Sequence, residues 1–412
     1  MAISLADAVT LVRNVVTPVE RVDGVGVDDV RGRVLAVDVC SPHSIPAFDN
    51  SAMDGFAVHA EDTAMASTDH PVALRLAGES RAGHPHAGAV PPGAAVRVST
   101  GAVMPAGADA VVRVEDTDGG GGGSAVEVRR AVTPGHDVRR AGDDIRESDI
   151  VLRSGTLVRS GERAMLAAVG AREVPVRARP RVAVVSTGSE LVSRVEDLAP
   201  GRIMESNSAM LAALAAANGA EVVHIVTGIE DTRAATVAAL SAALAECDVL
   251  LISGGVSMGA HDHVRPALAE LGVREHFWQV ALRPGHPTWF GTGPGDAAVP
   301  VFGLPGNPVS TYVTFQLFAA PAIAIRAGGS GDALTLTARY EGPTIAKRTG
   351  AVMAVRVSLR SEDGQLVATP TSPHQRSDAH SSLVEVDGLA LVPEDRPEMR
   401  DGDTVAVRLI RS

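Results

Sequence analysis

Hydrophobic and polar positions change rhythm several times along the 412 residues. In MAISLADAVTLVRNVV the apolar residues Leu5, Ala8, Val9, Leu11, Val12 and Val15 fall at helical spacing, which predicts an amphipathic helix over residues 1–24. From about 25 to 135 the text breaks into short apolar runs (VALRLAG, AVRVST, ADAVVRVEDT) separated by Gly, Pro and Asp, the pattern of a small β domain. Within it, DGGGGGS (Asp118 to Ser124) reads as a mobile hairpin tip. Short strands and a helix, GERAMLAAVGA, occupy 136–178.

Residues 179–328 alternate between buried strands (RVAVVST, EVVHIVTGI, DVLLISGG, VPVFGLPG) and helices (SNSAMLAALAAANG, DTRAATVAALSAALAEC, HDHVRPALAELG, PVSTYVTFQLFAAPAIAI), with REHFWQVALRPG extended. Alternation of this kind predicts a mostly parallel sheet with helices on both faces. Ser206 stands where the first of these helices needs an N-cap, and Gly219 just past its end. Residues 329–412 return to strand text (TARY, MAVRVSL, LVATP, LALVP, DTVAVRLI) and predict a terminal β domain. The expected fold class is therefore multidomain α/β plus β, a central α/β sandwich flanked by small β domains.

Composition narrows the function. Aromatics are 3% against 45% hydrophobic residues, so Ala, Val and Leu must fill the cores. A net charge of -12 argues against nonspecific nucleic-acid binding, which depends on a basic surface. An anionic ligand must meet local donors instead. Cys40 and Cys247 supply neither a disulfide framework nor a four-ligand zinc site. The N-terminal text lacks the basic start of a signal peptide, and no uninterrupted apolar run reaches the roughly 18 to 20 residues of a membrane span. A soluble cytoplasmic protein with no membrane partner is expected.

Candidate chemistry gathers at the carboxyl ends of three predicted strands, where open parallel sheets bind ligands. These ends carry Thr187-Gly188-Ser189-Glu190, then Ser253-Gly254-Gly255-Val256-Ser257, then Gly303-Leu304-Pro305-Gly306-Asn307-Pro308. Glycines admit close backbone approach and helix N-termini add partial positive charge, so three such ends make a pocket for a phosphorylated ligand. Pro305 and Pro308 shape the last turn. No G-x-G-x-x-G follows a strand and no G-x-x-x-x-G-K-[ST] is present, which removes nicotinamide dehydrogenases and phosphate-loop ATPases.

FDNSAMDGFAV (Phe48 to Val58), TGAVMPAGADAVVRVEDT (Thr100 to Thr117), RRAGDDI (Arg139 to Ile145), STGSEL, SGGVSMG and GLPGNPVS occur in an order that resembles the molybdopterin molybdenumtransferases, which are similar to the E domain of gephyrin. The resemblance covers nearly the whole chain. It implies four structural domains: 1–24 with 136–178, interleaved with 25–135, then a molybdopterin-binding α/β domain at 179–328 and a barrel-like domain at 329–412. It implies a homodimer with a shared cleft that inserts molybdate into adenylylated molybdopterin, releasing AMP with the help of Mg²⁺. The adenylyltransferase of the same pathway and molybdoenzyme maturation proteins are the further partners implied. Asp54 corresponds to the family's critical aspartate. Asp144, Glu190 and Asp262 are the other carboxylates expected near the cleft, with Asp54, Glu190 and Asp262 as metal ligands. The expected substrate-binding set is Asp49, Asn50, Ser51, Thr100, Gly101, Thr187, Gly188, Ser206, Asn207, Ser253, Gly254, Gly255, Ser257, Arg283, His286, Pro305, Gly306, Asn307 and Pro308.

Each carboxylate has a structural alternative. Asp49 and Asn50 fit an Asx-turn, Asp144 a turn cap, Glu190 a capping box and Asp262 the first turn of a helix. His84-Pro85-His86 and His261-Asp262-His263 lack the further ligands of a transition-metal site. The chain also departs from the family pattern. K-P-G-K-P is Arg283-Pro284-Gly285-His286-Pro287 here, and an imidazole, unlike lysine, is not permanently charged. Ala260 and Ser189 replace acidic residues. Ala260 and His286 are the support for an alternative reading, a specialised paralogue that scaffolds a pterin without turnover. A related molybdopterin adenylyltransferase is a second alternative, set against by the flanking β domains and by SGGVS in place of T-G-G-T-G.

Overall fold

The computed structural model describes residues 2–121, 123–256, 263–295, 298–373 and 375–410. The chain forms two compact units, one of Met1–Val37, Gly155–Arg163 and Arg172–Ser412, the other of Asp38–Ser154 and Ala164–Ala171. The architecture is multidomain α/β plus β, as the alternation of periods predicts.

The Asp38–Ser154 unit is built on five strands: β1 (Gly55–Val58), β2 (Val72–Ser80), β3 (Ala94–Val98), β4 (Ala110–Arg113) and β5 (Ala125–Val128). Their order is β4-β1-β3-β2-β5, with β2 and β3 parallel. The apolar close of FDNSAMDGFAV is β1, a central strand buried on both faces: Phe56 and Val58 enter one core and Ala57 another. Gly55 is required there because a Cβ would lie 2.0 Å from the Val112 carbonyl oxygen of β4. The Gly-rich run connects a hairpin, since Asp118 N–H donates to the Glu127 carbonyl and Arg129 N–H to that of Asp116.

In the larger unit, α1 (Leu5–Val15) is capped by Ser4, which accepts from Asp7 N at 3.1 Å. It is shorter than expected. Val16 is already extended, Pro18 lacks the N–H that would continue the helix, and Val22–Gly26 instead pairs antiparallel with Glu173–Arg177. Ala8 and Val12 pack into the α/β core.

That core surrounds β6 (Arg181–Ser186), α2 (Asn207–Ala217), β7 (Glu221–Val226), α3 (Arg233–Glu246), β8 (Val249–Ser253), α4 (Val264–Glu270), β9 (Arg274–Trp278), β10 (Trp289–Thr292), β11 (Pro300–Leu304) and the long helix α5 (Pro308–Arg326). The sheet order is β7-β6-β8-β11-β10-β9. The first four strands are parallel, while β10 runs antiparallel to both its neighbours. β10 was absent from the expected elements because its text, WFGT, is too short to show a period. Alternate residues feed two cores: Val182, Val184 and Leu251 face α1, α2 and α5, while Ala183, Val185 and Leu250 face α3 and α4. Truncating one such leucine costs about 2–5 kcal/mol. α5 has the length and apolarity of a membrane span, which a search for uninterrupted apolar runs passes over, but it is mostly buried within the protein. Its middle, Phe315–Ala319, is a π turn, and Pro321 just beyond has no N–H to return to the Leu317 carbonyl.

The C-terminal strands β12 (Thr335–Tyr340), β13 (Val352–Glu362), β14 (Gln365–Pro370), β15 (Gly388–Val392) and β16 (Thr404–Leu409) close into a barrel through the β13–β15 pairing. The short strand Leu282–Arg283 adds to it, parallel to Val352–Met353. This pairing joins the barrel to the α/β sheet.

Candidate active site

Because β6 lies between β7 and β8, chain direction around the sheet reverses at β6, and the loops after these strands part to leave a crevice. Thr187 N–H donates to the Ser253 carbonyl at 3.0 Å, and Gly254 N–H to that of Leu304 at 3.1 Å, so three strand ends are stitched side by side. Asn207, at the start of α2, completes the join: its Nδ2 donates to Ser253 Oγ at 2.8 Å and to the Gly306 carbonyl at 2.7 Å. With both donors committed, Asn207 Oδ1 is buried without a partner among the described residues. Gly255 has φ +66°, and a Cβ there would lie 2.3 Å from Val264 Cγ2, so the turn needs glycine on two counts.

These ends line a cavity of about 950 Å³, large enough for a nucleotide- or pterin-sized ligand. Its lining includes Thr187, Gly188, Asn207, Ser253, Gly254, Gly255, Pro305, Gly306 and Asn307, all expected at the site. The charges are segregated. Glu190, Glu230 and Asp231 come from the loops after β6 and β7, at one edge of the sheet. Arg283 and His286 come from the turn before β10, and Lys347 from the barrel. His286 points one ring nitrogen, Nδ1, at the Val280 carbonyl (2.9 Å). Asp231 lies 3.7 Å from His263. The barrel also contributes Ser377, whose Oγ accepts from Asn307 Nδ2 at 3.0 Å.

The other unit holds Asp49, Asn50, Ser51, Asp54, Thr100, Gly101 and Asp144. Asp54 is exposed, and one carboxylate oxygen accepts from Thr100 N–H (2.7 Å) and Thr100 Oγ (3.1 Å). These bonds hold its pKa below the usual carboxylate value. Thr100, expected to meet ligand oxygens, thus gives both donors to Asp54, and Gly101 follows at φ +80°. Asp49 accepts from Ala141 N–H (2.8 Å) and Arg140 Nη1 (2.6 Å), which lower its pKa in that order. It is a tether to a distant segment rather than a local turn. Asn50 does bond locally, donating to the Phe48 carbonyl at 3.2 Å. Ser51 is fully buried, with its carbonyl accepting from Gly101 N–H. Asp144 is exposed on a separate cavity of about 500 Å³, and Asp143, accepting from Arg140 N–H, is the residue that caps the turn.

The N-terminal region of MoeA (domain I and II) matches residues 3–170, a probable molybdopterin binding domain 183–325, and the C-terminal region of MoeA (domain IV) 343–410. The chain is 39% identical over 389 residues to molybdopterin molybdenumtransferase 2 of Mycobacterium tuberculosis, covering 92% of each chain. It is 34% identical to the Bacillus subtilis molybdopterin molybdenumtransferase, over 94% of this chain and 89% of that one. The crystal structure of a molybdopterin biosynthesis moeA protein from Pyrococcus horikoshii OT3 superposes with a TM-score of 0.83 at 30% identity, over 99% of this chain and 100% of that one. The chain belongs to the molybdopterin molybdenumtransferase family.

The geometry gives some residues expected in a molybdopterin molybdenumtransferase other local roles. Ser206 occupies the N-cap position of α2, yet its side chain makes no cap; Oγ pairs with His380 Nε2 at 2.8 Å and Ser206 is outside the cavity lining. Glu205 does the capping, accepting from Ser208 N–H at 2.9 Å. No helix starts directly after Thr187, where the chain turns into the short strand Leu191–Val192, so Glu190 completes no capping box and lines the cavity. Pro308 is the first residue of α5 and is not in the lining. Ser257 and Asp262, with Ala260 and His261, lie outside the described residues. Among the described residues no group of three or more His, Cys, Asp or Glu is placed to hold a metal ion, which includes His84 and His86.

Glu230, Asp231, Lys347 and Ser377 were not in the expected set. The first two follow EVVHIVTGI, a fourth parallel strand end that the strand-end rule covers. Lys347 and Ser377 carry no local signal, being brought in by the pairing of Leu282–Arg283 with β13 and by the segment after β14.

Proposed function

We propose that this transferase inserts molybdate into adenylylated molybdopterin, releasing AMP and the molybdenum-loaded cofactor, as a Mg²⁺-dependent cytoplasmic homodimer. The observation that carries the reading is the segregated cavity, with carboxylates from the β6 and β7 loops and permanent cations from the β10 side and the barrel. Backbone N–H groups at the glycine turns and the N-terminus of α2 suit phosphate oxygens. Arg283 and Lys347 suit an oxyanion. Glu190, Glu230 and Asp231 offer the hard oxygen donors that Mg²⁺ takes. With no three-residue cage among the described residues, they would hold an ion that keeps several waters. When bound, Mg²⁺ neutralises charge that builds on the departing AMP oxygens. The protein's own residues orient the pterin phosphate and hold the oxyanion beside it, and Thr100 fixes the Asp54 carboxylate through its N–H and Oγ.

The test is purified protein with adenylylated molybdopterin, molybdate and Mg²⁺, with AMP release as the readout. Release that requires both molybdate and Mg²⁺ is expected. Binding of the pterin without AMP release would refute the reading and favour the scaffold. For the shared cleft, mixing Asp54→Ala with Glu190→Ala subunits should restore activity in mixed dimers. A monomer by sedimentation would count against it.

A further inference from the structure

Lys347 is the one lysine in the cavity lining, and it stands at the edge of the C-terminal barrel, some sixty residues beyond Arg283 in sequence but on the same wall in space. The short strand Leu282–Arg283 runs in register with Val352–Met353, and Val352 N–H donates to the Ala281 carbonyl at 2.9 Å. The segment that carries Lys347, which ends where Val352 begins, is thereby fixed beside Arg283. Lys347 is half-buried and anchored: Nζ donates to the Ala351 carbonyl at 2.9 Å and to the Glu394 carbonyl at 3.2 Å. An ammonium has three donors, so one remains for a ligand.

No carboxylate forms an ion pair with either Lys347 or Arg283 among the described residues. Burial lowers the pKa of Lys347, Asp395 and Glu394 pull it part-way back, and the Arg283 charge lowers it again. Arg283 and Lys347 line the same cavity, repel one another and are not ion-paired among the described residues, an arrangement that an anion relieves. Because Coulomb attraction scales with ligand charge, a dianion gains about twice as much as a monoanion of the same shape.

We propose that Lys347 is the residue that makes this cavity select doubly charged tetrahedral anions over singly charged ones. The proposal rests on the transferase reading for its location but not for its test. Two ligands share the chemistry, a free metal oxyanion and the terminal phosphate of a nucleotide, and the experiment separates them.

Calorimetric titration of the full-length chain uses molybdate, the isosteric monoanion perrhenate, and AMP. It compares wild type with Lys347→Gln, which keeps an amide donor for the two carbonyls, and with Lys347→Arg, which keeps the charge. Lys347→Gln should weaken a dianion about tenfold, as expected for one charge-assisted contact, and perrhenate no more than about threefold. Lys347→Arg should stay within about threefold of wild type. Loss on molybdate assigns the subsite to the metal oxyanion, and loss on AMP alone assigns it to the phosphate. Unchanged affinity for both dianions overturns the proposal. So does an equal loss on molybdate and perrhenate, which is what loosening of the segment around Lys347 would produce, and so does a wild type that binds neither dianion. Lys347→Met serves as the neutral variant should Lys347→Gln fail to fold. Wild-type selectivity without AMP release in the separate turnover assay would refute the transferase reading and leave the subsite standing.

Discussion

Replacing Asn207 tests whether the cavity depends on one side chain that bridges strand ends. Asn207→Ala removes two hydrogen bonds, to Ser253 Oγ and to the Gly306 carbonyl, each contributing about 1 kcal/mol net. It also removes the unpartnered Oδ1, whose burial costs the wild type about 1 kcal/mol, so the net loss should be about 1–2 kcal/mol. Asn207→Asp is nearly isosteric but turns a donor into an acceptor 2.7 Å from a carbonyl oxygen, at a site 8% exposed. At pH 7 it should cost more than alanine, about 2–4 kcal/mol, because the buried carboxylate faces the Gly306 carbonyl oxygen and the Ser253 hydroxyl alone, of these two partners, can turn to donate to it. Desolvation raises the pKa of the introduced carboxyl, so the gap to alanine should narrow as pH falls toward 5 and the acid becomes a donor again. Urea unfolding followed by tryptophan fluorescence is a suitable assay: both tryptophans of the chain, Trp278 and Trp289, lie in the α/β sheet. An aspartate variant no less stable than the alanine variant at pH 7 would refute the assigned orientation of the amide.

Three further outcomes are expected. Gly255→Ala should lose about 2–4 kcal/mol by the same assay and weaken AMP binding, since the left-handed backbone and the contact with Val264 Cγ2 both resist a Cβ; stability within 0.5 kcal/mol of wild type would contradict this. Asp248 is 6% exposed, and although burial raises its pKa, Arg21 and Arg181 outweigh that and hold it at about 2. Its folded pKa lies below the unfolded 3.8, so it stabilises the fold by about 2 kcal/mol above pH 4, and that contribution disappears as pH falls through about 2. Acid unfolding of Asp248→Asn should lack this component, and identical acid profiles would disprove the linkage. Asp54→Ala should fold with wild-type stability while AMP release falls at least a hundredfold, a scale typical of lost catalytic groups, and wild-type turnover would return Asp54 to a purely structural pairing with Thr100.

What the chain's text determines by itself is local. Val182 to Val185 announce a strand buried on both faces because every residue is apolar, and Gly254-Gly255 announce a turn because only glycine adopts that backbone against Val264. Gly-Asn-Pro announces a helix start because proline is preorganised for the first turn. From these, the cavity floor of Thr187, Ser253, Gly254 and Gly306 was legible before any coordinates. The tertiary structure decided what depends on residues far apart in sequence. Helix capping passed from Ser206 to Glu205 because Ser206 Oγ is engaged by His380, 174 positions away. Thr100 turned its donors to Asp54 because strand pairing places the two side by side, 46 positions apart. Lys347 reached the cavity through a two-residue strand pairing that no periodicity can reveal. Periodicity reports which face of an element is buried; only the closure of the chain reports which partner buries it, and the places of Lys347 and Ser377 in this cavity belong to that second kind of information.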